Sequence, residues 1–320
     1  MINIHDIQDA QKAIAPLIKT TPLNRSGFLS DLCDGDIYLK LENMQVTHSF
    51  KARGAVNKLL HLSRKEKNFG IITASAGNHG QGVAYAAKKL GLPAKIVVPT
   101  TTPHIKIKGI KKYGVDLVLF GDDYDEAEHY AKNFARDNGC AYISPYDDKL
   151  IIAGQGTVGL EIVESVPNVD TVVVPVGGGG LISGVSIAMK SLKPDVAVFG
   201  VQSEASPVMY DSLKAGKIVS SPKTKTIADG LSGGIEKGSL TFEIARHCID
   251  KMLLVKETTV RRAVYLLWVH EKQVIEGSGA VAIAPILEKA TLFKGKVVAC
   301  VITGGNIDGR LFEEIVSSEK

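Results

Sequence analysis

Lys51 stands in the run His48-Ser49-Phe50-Lys51-Ala52-Arg53-Gly54, between a polar loop (Asn43 to Thr47) and a helical pattern from Ala52 to His61. A lysine amine attacks a carbonyl carbon only as the free base, so surroundings that depress its pKa make it a nucleophile toward aldehydes. Phe50 before it and the cation Arg53 two residues later offer such surroundings. Most lysines are solvated surface charges, and Lys51 alone would be read that way. Three further stretches shift the balance. Ser75-Ala76-Gly77-Asn78-His79 joins an apolar run to a helical pattern, where exposed N–H groups attract an anion and small residues let it approach. The plainer reading of that stretch is a strand-to-helix turn capped by Ser75. Gly177-Gly178-Gly179-Gly180 lies between the apolar run Thr171 to Val176 and an amphipathic pattern starting at Leu181. Glycine costs about 0.5–1 kcal/mol relative to alanine in regular structure, so four in a row are expected to have a use. Several N–H donors aimed at one point suit a dianionic phosphate better than a merely flexible loop. Thr303, in Val301-Ile302-Thr303-Gly304-Gly305-Asn306, ends the last apolar run. A hydroxyl there lies where open parallel sheets bind ligands and could meet a ring nitrogen, or it is simply a turn residue.

Bringing these stations together requires strands that end side by side. Strands are predicted at Ile37 to Leu41, Gly70 to Thr73, Ala94 to Val98, Val115 to Phe120, Thr171 to Val176, Ala197 to Val201 and Lys296 to Ile302. Helical spacing covers residues 5 to 18, Asn78 to Leu90, Ile105 to Tyr113, Tyr124 to Asn138, Ile151 to Ser165 and Leu181 to Ser191. After an irregular stretch from Ser203 to Lys237 it resumes over Ser239 to Asp250, Thr258 to Glu271 and Gly279 to Lys289. Strands separated by helices of this length predict parallel sheets with helices on their faces.

At 320 residues the chain is long enough for two domains with a cleft between them. Its net charge of +4 gives no strong pull toward nucleic acid or a membrane, and the basic run Lys106 to Lys112 reads as a solvated helix face. Cys33, Cys140, Cys248 and Cys300 are isolated, which fits a reducing compartment and no zinc site. The N-terminus lacks a signal-peptide pattern and the apolar runs are too short to span a bilayer, so a cytoplasmic protein is expected. Gly154-Gln155-Gly156-Thr157-Val158-Gly159 spells a dinucleotide motif and supports a nicotinamide-dependent oxidoreductase as an alternative. Its setting inside a continuous helical period argues for close helix packing instead. A two-lobed anion-binding protein without turnover is the reading from outside enzymology.

In order along the chain, Ser49-Phe50-Lys51-Ala52-Arg53-Gly54-Ala55, Ser75 to His79, Ala153 to Thr157, Gly177 to Gly180, Ile227-Ala228-Asp229-Gly230, Glu276-Gly277-Ser278-Gly279-Ala280 and Thr303 to Asn306 form one pattern. It resembles the fold type II pyridoxal-phosphate enzymes, most closely the threonine/serine dehydratases and serine racemases. The resemblance implies an α/β fold like the tryptophan synthase β chain, with two domains each built on a mainly parallel sheet flanked by helices. Residues 1–52 and 147–320 would form the large cofactor-binding domain and 53–146 the small one. Lys51 would hold the aldehyde of pyridoxal 5'-phosphate covalently, and Phe50 would pack on the ring. Asn78 would meet the ring hydroxyl, and Gly177, Gly178, Gly179, Gly180 and Leu181 would bind the phosphate. Thr303 would sit at the ring nitrogen and Glu276 near the ring, while Ser75, Gly77, Asn78 and His79 would hold the substrate carboxylate.

The implied reaction is dehydration of L-threonine or L-serine to an oxo acid and ammonia, in a homodimer or homotetramer. Departures from the pattern bear on this. Similar serine racemases carry a second serine where Ala76 stands. A methyl group moves no proton, so dehydration is expected to dominate racemisation. Glu204 matches one ligand of a cation site, but Tyr210 stands where an acidic ligand is expected, so any cation would be held weakly. The chain ends soon after Asn306, which leaves isoleucine control through a C-terminal domain unexpected. Gly230 to Glu236 differs from the commoner dehydratase pattern and keeps hydroxyaspartate or an ectoine-derived compound open as substrates.

Overall fold

Among the described residues ten strands form two sheets, the inner ones built from short runs rich in valine and isoleucine. The structure, a computed structural model, describes residues 2–222 and 224–320. The strands are β1 (Leu23–Arg25), β2 (Asp36–Leu41), β3 (Ile71–Ala74), β4 (Ala94–Val98), β5 (Asp116–Leu119), β6 (Ala141–Tyr142), β7 (Thr171–Pro175), β8 (Ala197–Ser203), β9 (Lys251–Val255) and β10 (Val297–Ile302). Six of them form one sheet in the order β1-β2-β10-β7-β8-β9, parallel except for the antiparallel β1–β2 pair at one edge. The other four form a fully parallel sheet, β5-β4-β3-β6.

Alternation along the strands builds a core on each side of the large sheet. Val173, Cys300 and Ile302 join one buried cluster, whereas their neighbours Val172, Val174, Ala299 and Val301 join another. Helix Lys149–Ser165 is buried almost throughout from Ile151 to Ile162 and packs between other helices. Its glycines are contact points: a Cβ at Gly154 would lie 2.7 Å from the Arg53 carbonyl oxygen, and one at Gly156 would lie 2.9 Å from the Gly184 carbonyl oxygen. The Gly154 to Gly159 run therefore lies mid-helix, with no strand leading into it, and serves packing. Among the described residues no helix is long and apolar enough to cross a membrane.

Several elements escaped the sequence reading. Helix Val208–Ala215 lies within the stretch read as irregular, between Pro207 and Gly216. The helix expected to run to Asp250 stops at Cys248, and β9 follows as the far edge of the large sheet. Residues 279–289 form no single helix. Gly277–Ala280 and Ala284–Glu288 are separate short helices, with Pro285 in the first turn of the second, where a missing N–H does no harm.

Candidate active site

Lys51 opens helix Lys51–Leu60, whose start carries no side-chain cap. The residue as a whole is half-buried, and the amine at its buried end donates to the Pro145 carbonyl oxygen at 2.7 Å and lies 5.3 Å from the centre of the Phe50 ring. Burial lowers its pKa to about 8, and the carboxylate of Glu276 opposes that shift. Arg53 plays no part in it. That expectation is corrected, because the guanidinium is turned away and fully engaged with Glu42 and Glu161.

The glycine loop leads from β7 into helix Gly180–Leu192, which also lacks a side-chain cap. Each glycine has a steric reason. Gly179 has φ +91°, a conformation that side chains resist, and its neighbour Gly178 accepts a hydrogen bond from Thr241 Oγ1. A Cβ on Gly178 would meet the Tyr146 ring at 2.5 Å, and one on Gly180 would lie 2.9 Å from both Gln155 Oε1 and the Tyr146 carbonyl oxygen. The loop is thus a surface on which backbone, a ring and an amide converge. Pro145 and Tyr146, which link it to Lys51, were not singled out from sequence, where proline beside tyrosine reads as ordinary loop.

Helix Asn78–Leu90 begins at Gly77, and Ser75 does not cap it: its Oγ accepts only from the Gly77 N–H, at 3.2 Å. The first turn therefore presents its N–H groups without a side-chain partner, as an anion site requires. Asn78 donates to Glu276 at 2.6 Å and accepts from Asn306 at 2.7 Å. Burial, reinforced by the nearby Asp229, pushes Glu276 up to about 7. The side chain of His79 points elsewhere. Its Nε2 lies 3.1 Å from both Thr73 Oγ1 and the Ile143 carbonyl oxygen, so that nitrogen carries the proton. Burial and the charge on Lys51 lower His79 to about 3 and hold it neutral. Only its backbone N–H is left for an anion.

Thr303 joins these pieces together. Its carbonyl oxygen accepts from the Phe50 N–H at 3.2 Å, Gly304 bridges to Ser49, and the buried Thr303 Oγ1 has no partner. A buried hydroxyl left unpaired is costly, so the site is shaped for a polar group that the chain does not itself supply. Glu204 is exposed, and among the described residues no three His, Cys, Asp or Glu side chains stand together as a metal site would need.

The arrangement fits pyridoxal phosphate: a buried amine for an aldehyde, an unpaired hydroxyl for a ring nitrogen and a glycine loop for a phosphate. The sequence profile of a family described as pyridoxal-phosphate dependent enzyme matches residues 14–304. An L-threonine ammonia-lyase of Thermotoga maritima is 46% identical over 318 residues, covering 99% of this chain and 79% of that protein. Among solved structures, the processed form of threonine deaminase isoform 2 from Solanum lycopersicum superposes with a TM-score of 0.94 at 37% identity, covering 98% of this chain and 86% of that one. Maize serine racemase superposes with a TM-score of 0.92 at 33% identity, covering 99% of this chain and 98% of that one.

Proposed function

The chain belongs to the pyridoxal-phosphate dependent enzymes, and on that premise we propose that it is an ammonia-lyase converting L-threonine, and L-serine alongside it, to the 2-oxo acid and ammonia. The observation that carries the reading is the buried amine of Lys51, lowered to about 8, at the junction of the glycine loop, Thr303 and the start of helix Asn78–Leu90. Similarity to an L-threonine ammonia-lyase along nearly the whole chain supports the choice of substrate. When bound, the cofactor supplies an aldehyde that captures amines and a conjugated ring that accepts the electron pair of a broken Cα–H bond.

The protein's part is to hold, orient and move protons. Gly177, Gly178, Gly179, Gly180 and Leu181 would hold the phosphate with backbone N–H groups, Thr303 Oγ1 would meet the ring nitrogen, and Phe50 would pack on the ring. Asn78, kept in place by Glu276 and Asn306, would meet the ring hydroxyl. Ser75, Gly77, Asn78 and the His79 N–H grip the substrate carboxylate. Lys51 Nζ, whose burial favours the free base, would take the Cα proton. Loss of the β-hydroxyl as water, followed by hydrolysis of the resulting enamine, balances threonine against 2-oxobutyrate and ammonia.

Borohydride should bleach the visible colour of the purified protein and leave a reduced adduct on the peptide containing Lys51, and Lys51→Ala should be colourless and inactive. An adduct mapped to another peptide would end the proposal. Racemisation is the second reading, favoured by the likeness to maize serine racemase. Against it stands Ala76, which offers no proton donor. Keto-acid release and D-serine formation measured together on L-serine should show dehydration well ahead; comparable rates would reverse the order. We also propose that the chain acts in the cytoplasm as a homodimer or homotetramer. Its four cysteines are unpaired, and the exposed Leu32 and Trp268 offer apolar contact surface. Sedimentation of the purified protein as a monomer would refute the assembly.

A further inference from the structure

Two cations and two carboxylates lie buried behind the site, and no step above uses them. Arg53 Nε and Nη2 reach Glu42 at 2.8 Å each, and Nη1 and Nη2 reach Glu161 at 2.6 and 2.8 Å. Nη1 also donates to Thr157 Oγ1 at 3.0 Å. Lys40 donates to Glu161 at 2.5 Å and to the Thr21 carbonyl oxygen at 2.6 Å, which leaves the cluster neutral. Arg53, Lys40 and Glu42 are 0% exposed. Such a cluster is a poor source of stability, since desolvation offsets most of the attraction and well-packed apolar residues often do as well. What two bidentate forks do supply is direction: they fix a guanidinium in both place and rotation.

Those forks hold the first turn of the helix that starts at Lys51. One comes from Glu42, the residue just after β2, the other from helix Lys149–Ser165. That second helix also abuts the phosphate-loop helix, where a Cβ on Gly184 would lie 2.3 Å from the Ile152 carbonyl oxygen and 2.5 Å from the Gly156 nitrogen. It meets the lysine helix backbone to backbone, with a Cβ on Gly154 falling 2.8 Å from Gly54 Cα. One helix thus touches both the lysine helix and the loop helix at backbone distance, which leaves little slack to absorb a shift.

We propose that Arg53 is a positioning residue: its forks to Glu42 and Glu161 lock the lysine helix onto helix Lys149–Ser165 and so set where Lys51 Nζ stands relative to the glycine loop. This inference rests on Lys51 being the cofactor-binding lysine. Lysine at position 53 keeps the charge but cannot grip two carboxylates in fixed forks, so the lysine helix loses its register.

The test compares the holoenzymes of wild type, Arg53→Lys and the double variant Arg53→Met/Glu161→Gln, which removes one charge of each sign. Melting temperature, kcat, KM and the visible circular dichroism of the bound cofactor are measured on each. A misplacement near 1 Å costs about 10²-fold in rate, so kcat should fall on that order while KM shifts far less. The dichroic band, which reports cofactor orientation, should weaken or change shape in both variants, including in whichever keeps the wild-type melting temperature. Wild-type kcat and dichroism in a folded variant would overturn the proposal. Recovery of kcat in step with melting temperature in the double variant would overturn it too, by making the cluster a stability device. If neither variant folds, Thr157→Val, which deletes a single contact to Arg53, is read against the same two outcomes. Borohydride trapping on the wild type separates the levels: an adduct away from Lys51 defeats the reading of the site, whereas an adduct on Lys51 with unaltered variants defeats only the role of Arg53.

Discussion

Lys51 feels the charge of Glu276, and burial moves the two groups toward each other, Glu276 up to about 7 and Lys51 down to about 8. For Glu276 the consequence can be measured in the cofactor-free chain. Between its ordinary value of 4.5 and about 7, the folded state keeps a proton that the unfolded state releases. Its contribution is therefore fully present below 4.5 and is lost as pH rises through 7, a swing on the order of 3 kcal/mol at most. Lys51 stays protonated in both states over most of that window and does not disturb the comparison. Glu276→Gln cannot titrate, so urea midpoints of variant and wild type should diverge between pH 5 and pH 8 in the variant's favour. A difference independent of pH would refute this. At this scale the sequence singled out Lys51, the glycine loop and Thr303, which the fold draws together through Pro145, Tyr146 and the hydrogen bond from Phe50 to Thr303. The neutral, inward-turned His79 was not legible there, since its partner is a carbonyl oxygen 64 residues away.

Helices touch here through glycine, and the elements respond to substitution accordingly. At Gly184 an added methyl meets backbone atoms at 2.3 and 2.5 Å, and neither helix can yield locally. Gly184→Ala should destabilise by about 1–3 kcal/mol or more through overpacking and lower the melting temperature. At Gly109, inside helix His104–Lys111, the nearest contact would be the Gln81 side chain at an ordinary 3.5 Å. Gly109→Ala should therefore stabilise by about 0.5–1 kcal/mol through helix propensity. Thermal melts of the pair test both; equal shifts would mean that close helix packing does not govern the first. The period of the pattern revealed most of the long helices and inner strands. It failed for β9, a five-residue edge strand that directly follows a helix, and for helix Val208–Ala215, barely two turns long.

Across the whole molecule, two ion pairs tie the four-stranded unit to the loop near the glycine cradle. Lys106 meets Asp229 at 2.8 Å and Lys132 meets Glu236 at 3.1 Å, while a Cβ on Gly177 would touch Leu231 at 3.2 Å. All four charged side chains are well exposed, so the pairs are worth about 0–1 kcal/mol each and weaken with salt. Lys106→Met/Lys132→Met should leave the melting temperature nearly unchanged yet raise KM and remove its dependence on ionic strength. A KM as salt-dependent as wild type would show that these pairs do not hold the loop over the site.

Residue types and their order along the chain were enough to determine the alternation that makes parallel sheets, the lysine, the glycine loop and the family pattern, because local periodicity and rare residue choices are written in one dimension. Only the tertiary structure decided that Arg53 serves a buried cluster rather than the pKa of Lys51, that Tyr146 lies on Gly178, and that Asn78 is held between Glu276 and Asn306. Those contacts join residues 11 to 228 positions apart. Burial and hydrogen-bond partners are properties of neighbours in space, which a linear pattern does not contain.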